Sequence, residues 1–197
     1  MTSSEPAGDR KTARAIALAD RAPPTDQPAN RAPPADPPAD RATRAIALGA
    51  PAATARLGAA LGLALGPGDT LALSGPLGAG KSALARAAIR ARLGNAEAEV
   101  PSPTYTLVQV YGEDADTLWH ADLYRLGDAS EVAELGLDEA FVTAAVIVEW
   151  PERLGPALPA RRVDLALDIT GDTTRRARLA LSGEGWERVE AALGRGA

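Results

Sequence analysis

Gly75-Pro76-Leu77-Gly78-Ala79-Gly80-Lys81-Ser82 fits the pattern G-x-x-x-x-G-K-[ST] at each fixed position. Such a segment can curl successive backbone N–H groups around phosphate oxygens, and glycines keep that approach clear. The Lys81 ammonium can reach the terminal phosphates and the Ser82 hydroxyl can ligate magnesium. A helix starting here would aim its positive end at the same anion. The residues expected to hold phosphate are Gly75, Gly78, Ala79, Gly80, Lys81, Ser82 and Ala83.

A phosphate cradle hydrolyses nothing without a carboxylate to hold Mg²⁺ and a group to orient water. Two apolar runs deliver an acid at their ends. Leu118-Trp-His-Ala121 leads to Asp122, and Ala145-Val-Ile-Val148 leads to Glu149, which has the better Walker-B pattern by hydrophobicity. His120 reads as a partly buried strand residue. Between cradle and acids lies Ser102-Pro103-Thr104-Tyr105-Thr106, either a plain proline turn or a segment that senses the terminal phosphate through a hydroxyl. Tyr105, Trp119, Tyr124 and Trp150 flank these segments and read as core packing; Trp150, beside Glu149, could instead lie near the nucleotide. The guanine-reading elements N-K-x-D and T-K-x-D do not occur, which favours ATP. Arg86, Arg90 and Arg92 read as a solvated helix face, and Arg175, Arg176 and Arg178 as partners of Asp164 and Asp168 across a hairpin.

The elements that must position these residues follow from periodicity. A strand at 43–48 precedes a helix at 51–65 with Leu57, Leu61 and Leu65 at helical spacing. A strand at 69–74 enters the glycine loop, and a helix at about 81–93 leaves it. Strands are expected at 106–111, 117–122 and 144–148, with short helices at 130–135 and 138–142. Val163 to Ile169 alternates, turns at Gly171-Asp172 and returns as Arg176 to Leu181; a helix closes the chain. Strand and helix alternation indicates an α/β, P-loop-type three-layer sandwich with a mainly parallel central sheet and a C-terminal antiparallel hairpin.

Composition narrows the classes further. Without cysteine, disulfides and thiolate metal sites are excluded, and one histidine makes a histidine metal centre a poor reading. Nothing approaches the run of ~20 apolar residues that a membrane span needs, so a cytoplasmic protein with no membrane partner is expected. The net charge is −5. The first 41 residues carry six basic and six acidic side chains, so the rest holds the whole excess, 15 basic against 20 acidic. An acidic body argues against broad nucleic-acid binding.

Residues 1–41 differ from the remainder. They hold eight of the 16 prolines, and Arg21-Ala-Pro-Pro recurs as Arg31-Ala-Pro-Pro. Such a segment cannot bury enough apolar surface to offset its ordering entropy, so it is expected to be a disordered extension of a single domain at 42–197. Arg14-Ala-Ile-Ala-Leu18 also recurs, as Arg44-Ala-Ile-Ala-Leu48. The second copy is taken as the first strand; the first is a duplication relic or a competitor for the same sheet edge.

Four ordered segments resemble one family. They are Gly75–Ser82, Ser102-Pro-Thr-Tyr-Thr-Leu107, Asp122-Leu-Tyr-Arg-Leu126 and Val148-Glu-Trp-Pro151, and together they look like the motifs of TsaE (YjeE), the small ATPase of threonylcarbamoyladenosine biosynthesis in tRNA. The likeness covers roughly residues 43–182. It implies ATP and Mg²⁺ as ligands. It implies TsaB and TsaD as partners, and contact only through them with tRNAs that read codons beginning with A. By matching position it implies Lys81 and Ser82 at phosphate and magnesium, Thr104 in a switch-like segment, Asp122 as the Walker-B-type acid, Glu149 as a second carboxylate, and Trp150 beside the nucleotide. Pro76 stands where the family often has an acid, and Ala121 where it usually has Phe. A free-standing small-molecule kinase is the competing reading, disfavoured because no arginine-bearing lid insertion is visible.

Overall fold

Thr70-Leu-Ala-Leu-Ser74 and Ala145-Val-Ile-Val-Glu149 are apolar on both faces, as strands covered by helices on each side must be. In the computed structural model, which describes residues 13–16, 43–126 and 131–195, they are neighbours at the centre of one sheet. The strands are β1 (Ala13–Ile16), β2 (Thr43–Leu48), β3 (Thr70–Ser74), β4 (Val108–Tyr111), β5 (Leu118–Asp122), β6 (Ala145–Glu149), β7 (Arg162–Ile169) and β8 (Arg175–Ser182). The helices are α1 (Pro51–Ala64), α2 (Lys81–Leu93), α3 (Glu131–Glu134), α4 (Leu137–Thr143) and α5 (Glu187–Arg195).

The eight strands lie in the order β1-β4-β5-β6-β3-β7-β8-β2. The four central strands, β5, β6, β3 and β7, pair in parallel; both flanks are antiparallel. The fold is therefore the expected α/β sandwich with a parallel centre, and β7 with β8 forms the expected hairpin.

Side-chain alternation splits the core into two layers. Leu71, Leu73, Leu118, Ile147, Leu165 and Leu167 face α1, α2 and α5. Val108, Ala121, Val146 and Val148 face α3, α4 and the 3₁₀ turn at Pro151–Ala157. Ala121 is fully buried in this second layer.

Two details depart from expectation. The strand expected from Thr106 begins at Val108, because Leu107 takes a left-handed conformation (φ 63°) and its N–H closes a turn onto Pro103 O at 2.6 Å. Arg14-Ala-Ile16 of the first copy and Arg44-Ala-Ile-Ala47 of the second occupy opposite edges of the sheet. The first pairs with β4 and the second with β8, so they do not compete. Four residues of the N-terminal extension are thus in the sheet; the disorder expected for the rest falls outside the described residues.

Helix α1 holds α2, and through it the glycine loop, at unusually close range. A Cβ on Gly58 would lie 2.4 Å from Leu84 O, and one on Gly62 would lie 2.3 Å from Ala88 O. No helix among the described residues is long and apolar enough to cross a membrane.

This contact reverses the usual sign of a helical Gly→Ala change, which otherwise gains up to ~1 kcal/mol from propensity. Gly62→Ala should lower stability by about 1–3 kcal/mol through overpacking, seen as a reduced urea midpoint. Gly194→Ala, where a new methyl meets nothing within 4 Å, should leave the midpoint unchanged or raise it.

Candidate functional site

β3 ends at Ser74, and the chain turns at once through left-handed backbone that only glycine adopts cheaply: Gly75 at φ 134°, Gly78 at 78° and Gly80 at 104°. Gly75 is required twice over, since a Cβ there would sit 2.5 Å from Leu167 O. Ala79 N–H closes onto Pro76 O (3.1 Å), and Leu84 N–H is the donor that closes onto Gly80 O (3.0 Å). The amides of Gly80, Lys81, Ser82 and Ala83 fall between, at the start of α2, where a helix leaves its first donors without intrahelical partners. This is an anion cradle built of main chain.

Lys81 lies folded over that cradle and is only 5% exposed. Its ammonium donates to Gly75 O (2.8 Å) and Pro76 O (3.0 Å), and sits 4.0 Å above the Trp150 ring. Burial pulls its pKa below the ordinary lysine value; Glu149, Asp122 and Glu152 pull the other way. The carbonyl that Pro76 retains is thus used, although its missing N–H removes a donor.

The acids arrive from the neighbouring strands. Parallel register sets Asp122 of β5 beside Glu149 of β6, and Glu149 beside Leu73 of β3. Glu149 Oε2 accepts from Ser82 Oγ at 2.8 Å, and Oε1 lies 2.9 Å from His120 Nε2. Asp122 Oδ2 accepts from Thr104 Oγ1 (2.8 Å), and Oδ1 from the Tyr124 amide (3.1 Å). Thr104 is in turn 2.9 Å from Ser102 Oγ. Burial, and then the Glu149 carboxylate, push the Asp122 carboxyl above its ordinary pKa; the Thr104 and Tyr124 hydrogen bonds and His120 oppose this in part.

The residues expected from the sequence therefore meet. Lys81, Ser82, Thr104, Asp122, Glu149 and Trp150 surround one mouth beside the cradle. The donors available to a cation, one hydroxyl and two carboxylates, are all hard oxygen. Among the described residues no cluster of three or more His, Cys, Asp or Glu could hold a metal alone. Magnesium carried by nucleotide phosphates needs only one or two carboxylates, so this donor set fits it.

Other features were not legible. His120 is fully buried and orients Glu149. Nε2 is the nitrogen that meets the carboxylate, and Nδ1 has no hydrogen-bond partner among the described residues. The signal for His120 was its place two residues before Asp122, on the same strand face. Tyr105 is 81% exposed and carries the Arg125 guanidinium 4.5 Å above its ring, so it does not pack the core. Arg86 and Arg90 donate from Nε to Val100 O and Ala98 O (3.0 Å each) and anchor the segment that leads into Ser102–Thr106. Arg178 pairs with Asp168 as expected (3.0 Å), but Asp164 takes Arg162 (2.7 Å) and Arg175 reaches the glycine loop. Alternation explains the split: Arg175 lies opposite Ile169, on the α1–α2 face, and Arg178 lies on the other.

Comparisons with known proteins show the family. The family described as "Threonylcarbamoyl adenosine biosynthesis protein TsaE" matches residues 48–178. A tRNA threonylcarbamoyladenosine biosynthesis protein TsaE from Bacillus subtilis is 36% identical over 124 residues, 62% of this chain and 76% of that one. Its counterpart from Mycobacterium bovis is 38% identical over 132 residues, 62% and 77% of the two chains. The crystal structure of YdiB from B. subtilis superposes with a TM-score of 0.64 at 26% identity, covering 79% of this chain and 96% of that one.

Because the folded state holds a proton on Asp122 more tightly than the unfolded chain does, stability falls as pH rises through its raised range. In EDTA without nucleotide, Asp122→Asn should melt higher than wild type at about pH 8, and the gap should close below the ordinary carboxylate pKa of about 4. Equal melting temperatures at both pH values would contradict the assignment of strain to this carboxylate.

Proposed function

This chain belongs to the TsaE family of tRNA threonylcarbamoyladenosine biosynthesis proteins, and on that premise we propose that it binds and slowly hydrolyses ATP as the nucleotide-driven subunit of that system. The observation that carries the reading is the convergence of Ser82, Asp122 and Glu149 on the mouth of a glycine cradle.

The phosphate tail lies against the Gly80–Ala83 amides at the start of α2. Lys81 exchanges the Gly75 and Pro76 carbonyls for β- and γ-phosphate oxygens, with the Trp150 ring steering its ammonium. Ser82 and Asp122 would hold Mg²⁺, directly or through water, with Glu149 beside them. When bound, the ion withdraws charge from the phosphoryl oxygens and relieves the repulsion between the two carboxylates. Thr104, already bonded to Asp122, links the Ser102–Thr106 segment to the occupancy of the site. The attacking group is water, and proton removal falls to the acidic side of the mouth.

Turnover is slow in the isolated chain because Arg175, the arginine bonded to the loop, is engaged with loop carbonyls rather than aimed at the terminal phosphate. TsaB and TsaD supply the missing stimulation, in the cytoplasm, and tRNAs for A-starting codons are reached only through them. Residues 42–197 form the ATPase domain and 1–41 an extension to it.

Lys81→Ala should lose at least about a hundredfold in ATP turnover, the scale of removing one preorganised charge-stabilising donor; hydrolysis at the wild-type rate would end the proposal. Purified TsaB and TsaD should raise wild-type turnover, whereas turnover that appears only with an added metabolite would point to a kinase. Glu149→Gln separates two services of that residue. Retained Mg²⁺–nucleotide affinity with lost turnover assigns it to water, and weakened Mg²⁺ affinity assigns it to the metal.

A further inference from the structure

We propose that Arg175 is a positioning residue for the phosphate cradle, holding the Gly78 and Ala79 carbonyls at the back of the loop so that the amide of the Ala79–Gly80 peptide faces the anion. The inference rests on the nucleotide-binding reading above.

A planar peptide points its C=O and its N–H in opposite directions, so a loop whose amides converge on a ligand must turn its carbonyls outward. Those carbonyls still need donors. Arg175 provides them, with Nε donating to Ala79 O (3.1 Å) and Nη2 to Gly78 O (3.2 Å). Ala79 O belongs to the peptide whose N–H is that of Gly80, the amide at the N-cap of α2. A cationic donor on the carbonyl polarises that peptide and strengthens its N–H as an anion donor.

The other edge of the same guanidinium is fixed independently. Nη1 donates to Gly171 O and Thr174 O at 2.8 Å each, in the turn between β7 and β8. One side chain therefore fastens the apex of the glycine loop to the tip of the hairpin. Arginine alone can do this: its donors form a rigid planar fork with two usable edges, while a lysine ammonium is a single point of charge. The strand register explains why Arg175 is the one recruited. It stands opposite Ile169 on the face where α2 begins, whereas Arg176 and Arg178 stand on the far face.

A cradle-positioning role differs from that of a transition-state arginine finger. The finger would act on the γ-phosphate alone, so its loss would spare ADP. The cradle holds phosphates common to both nucleotides, so its distortion should weaken both alike.

The test is calorimetric titration of the full-length chain with Mg²⁺–ADP and with a non-hydrolysable Mg²⁺–ATP analogue, alongside ATP turnover. Arg175→Ala should lose about tenfold in affinity for both nucleotides, the scale of one charge-assisted hydrogen bond. Arg175→Lys should recover little of that loss, and it carries the test if the alanine variant does not fold. Arg178→Ala, which breaks the Asp168 pair on the opposite face of the same hairpin, should bind both nucleotides as wild type does. Unchanged ADP affinity with reduced turnover would overturn the proposal in favour of a finger. Full recovery by lysine would overturn it in favour of bare charge, and equal losses in Arg178→Ala in favour of hairpin stability alone. Wild type that takes up neither nucleotide would remove the nucleotide reading and this inference together. Wild-type binding that survives both Arg175 variants unchanged would remove only the role of Arg175.

Discussion

Two carboxylates stand side by side in a nearly dry place. Asp122 is 4% exposed and Glu149 1%, and the parallel register of β5 and β6 leaves neither free to move apart from the other. Like charges so placed repel by an amount that water would otherwise screen, of order a few kcal/mol at a local effective dielectric of about 20. The surrounding residues are largely a response to that repulsion. Ser82 and His120 each direct a polar atom at Glu149, Thr104 and the Tyr124 amide do so at Asp122, and Lys81 supplies a nearby positive charge. The pocket is thus pre-arranged for a cation that the protein alone provides only in part.

The anion side of the site obeys a complementary rule. Peptide amides can face a phosphate only if their carbonyls are satisfied behind them. Arg175 takes the carbonyls of Gly78 and Ala79, Gly80 O closes the first turn of α2, and Lys81 occupies those of Gly75 and Pro76 while no phosphate draws it away. The loop therefore depends on distant parts of the chain: on β8 through Arg175, on β7 through the tight space at Gly75, and on α1 through the glycine contacts that seat α2. A loop of this conformation, with five of its carbonyls bound, is stiff before any ligand arrives, and preorganisation of that kind is what lets main-chain donors act at full strength.

What could be read from the sequence was whatever is encoded locally. The glycine loop is a contiguous pattern, the strands before it and at Ala145–Glu149 are contiguous apolar runs, and Asp122 and Glu149 stand at strand ends where such acids belong. The features that escaped depend on which residues lie opposite one another across the sheet. His120 became a site residue because β5 lies beside β6. Arg175 went to the loop, while Arg178 kept its expected partner Asp168, because a one-residue step along a strand changes the face. The pairing of the first Arg-Ala-Ile-Ala copy with β4 has the same character: four residues cannot announce which edge they will meet. Tyr105 was misplaced for a different reason, since the left-handed turn at Leu107 delays the strand and leaves the ring outside the core.

The arginines also bear on the partner dependence contained in the proposed function. Hydrolysis accelerates when a guanidinium reaches the charge that develops on the transferring phosphoryl group. Here Arg86 and Arg90 are spent on the Ala98–Val100 carbonyls, Arg92 on Leu65 O, Arg161 on Asp69 and Arg175 on the cradle, while Arg125 lies over Tyr105. Each of these contacts stiffens the scaffold, and Arg175, the one that reaches the glycine loop, is bonded to its carbonyls. Under the proposed function, a chain that uses its arginines this way gains a stiff binding site and gives up rapid turnover in isolation. Under the proposed function, the missing acceleration then has to come from a surface that docks at the mouth, either by bringing its own cation or by drawing the Ser102–Thr106 segment into a new position. On that proposal, holding the nucleotide falls to the fold itself, and cleaving it stays conditional on the docked surface.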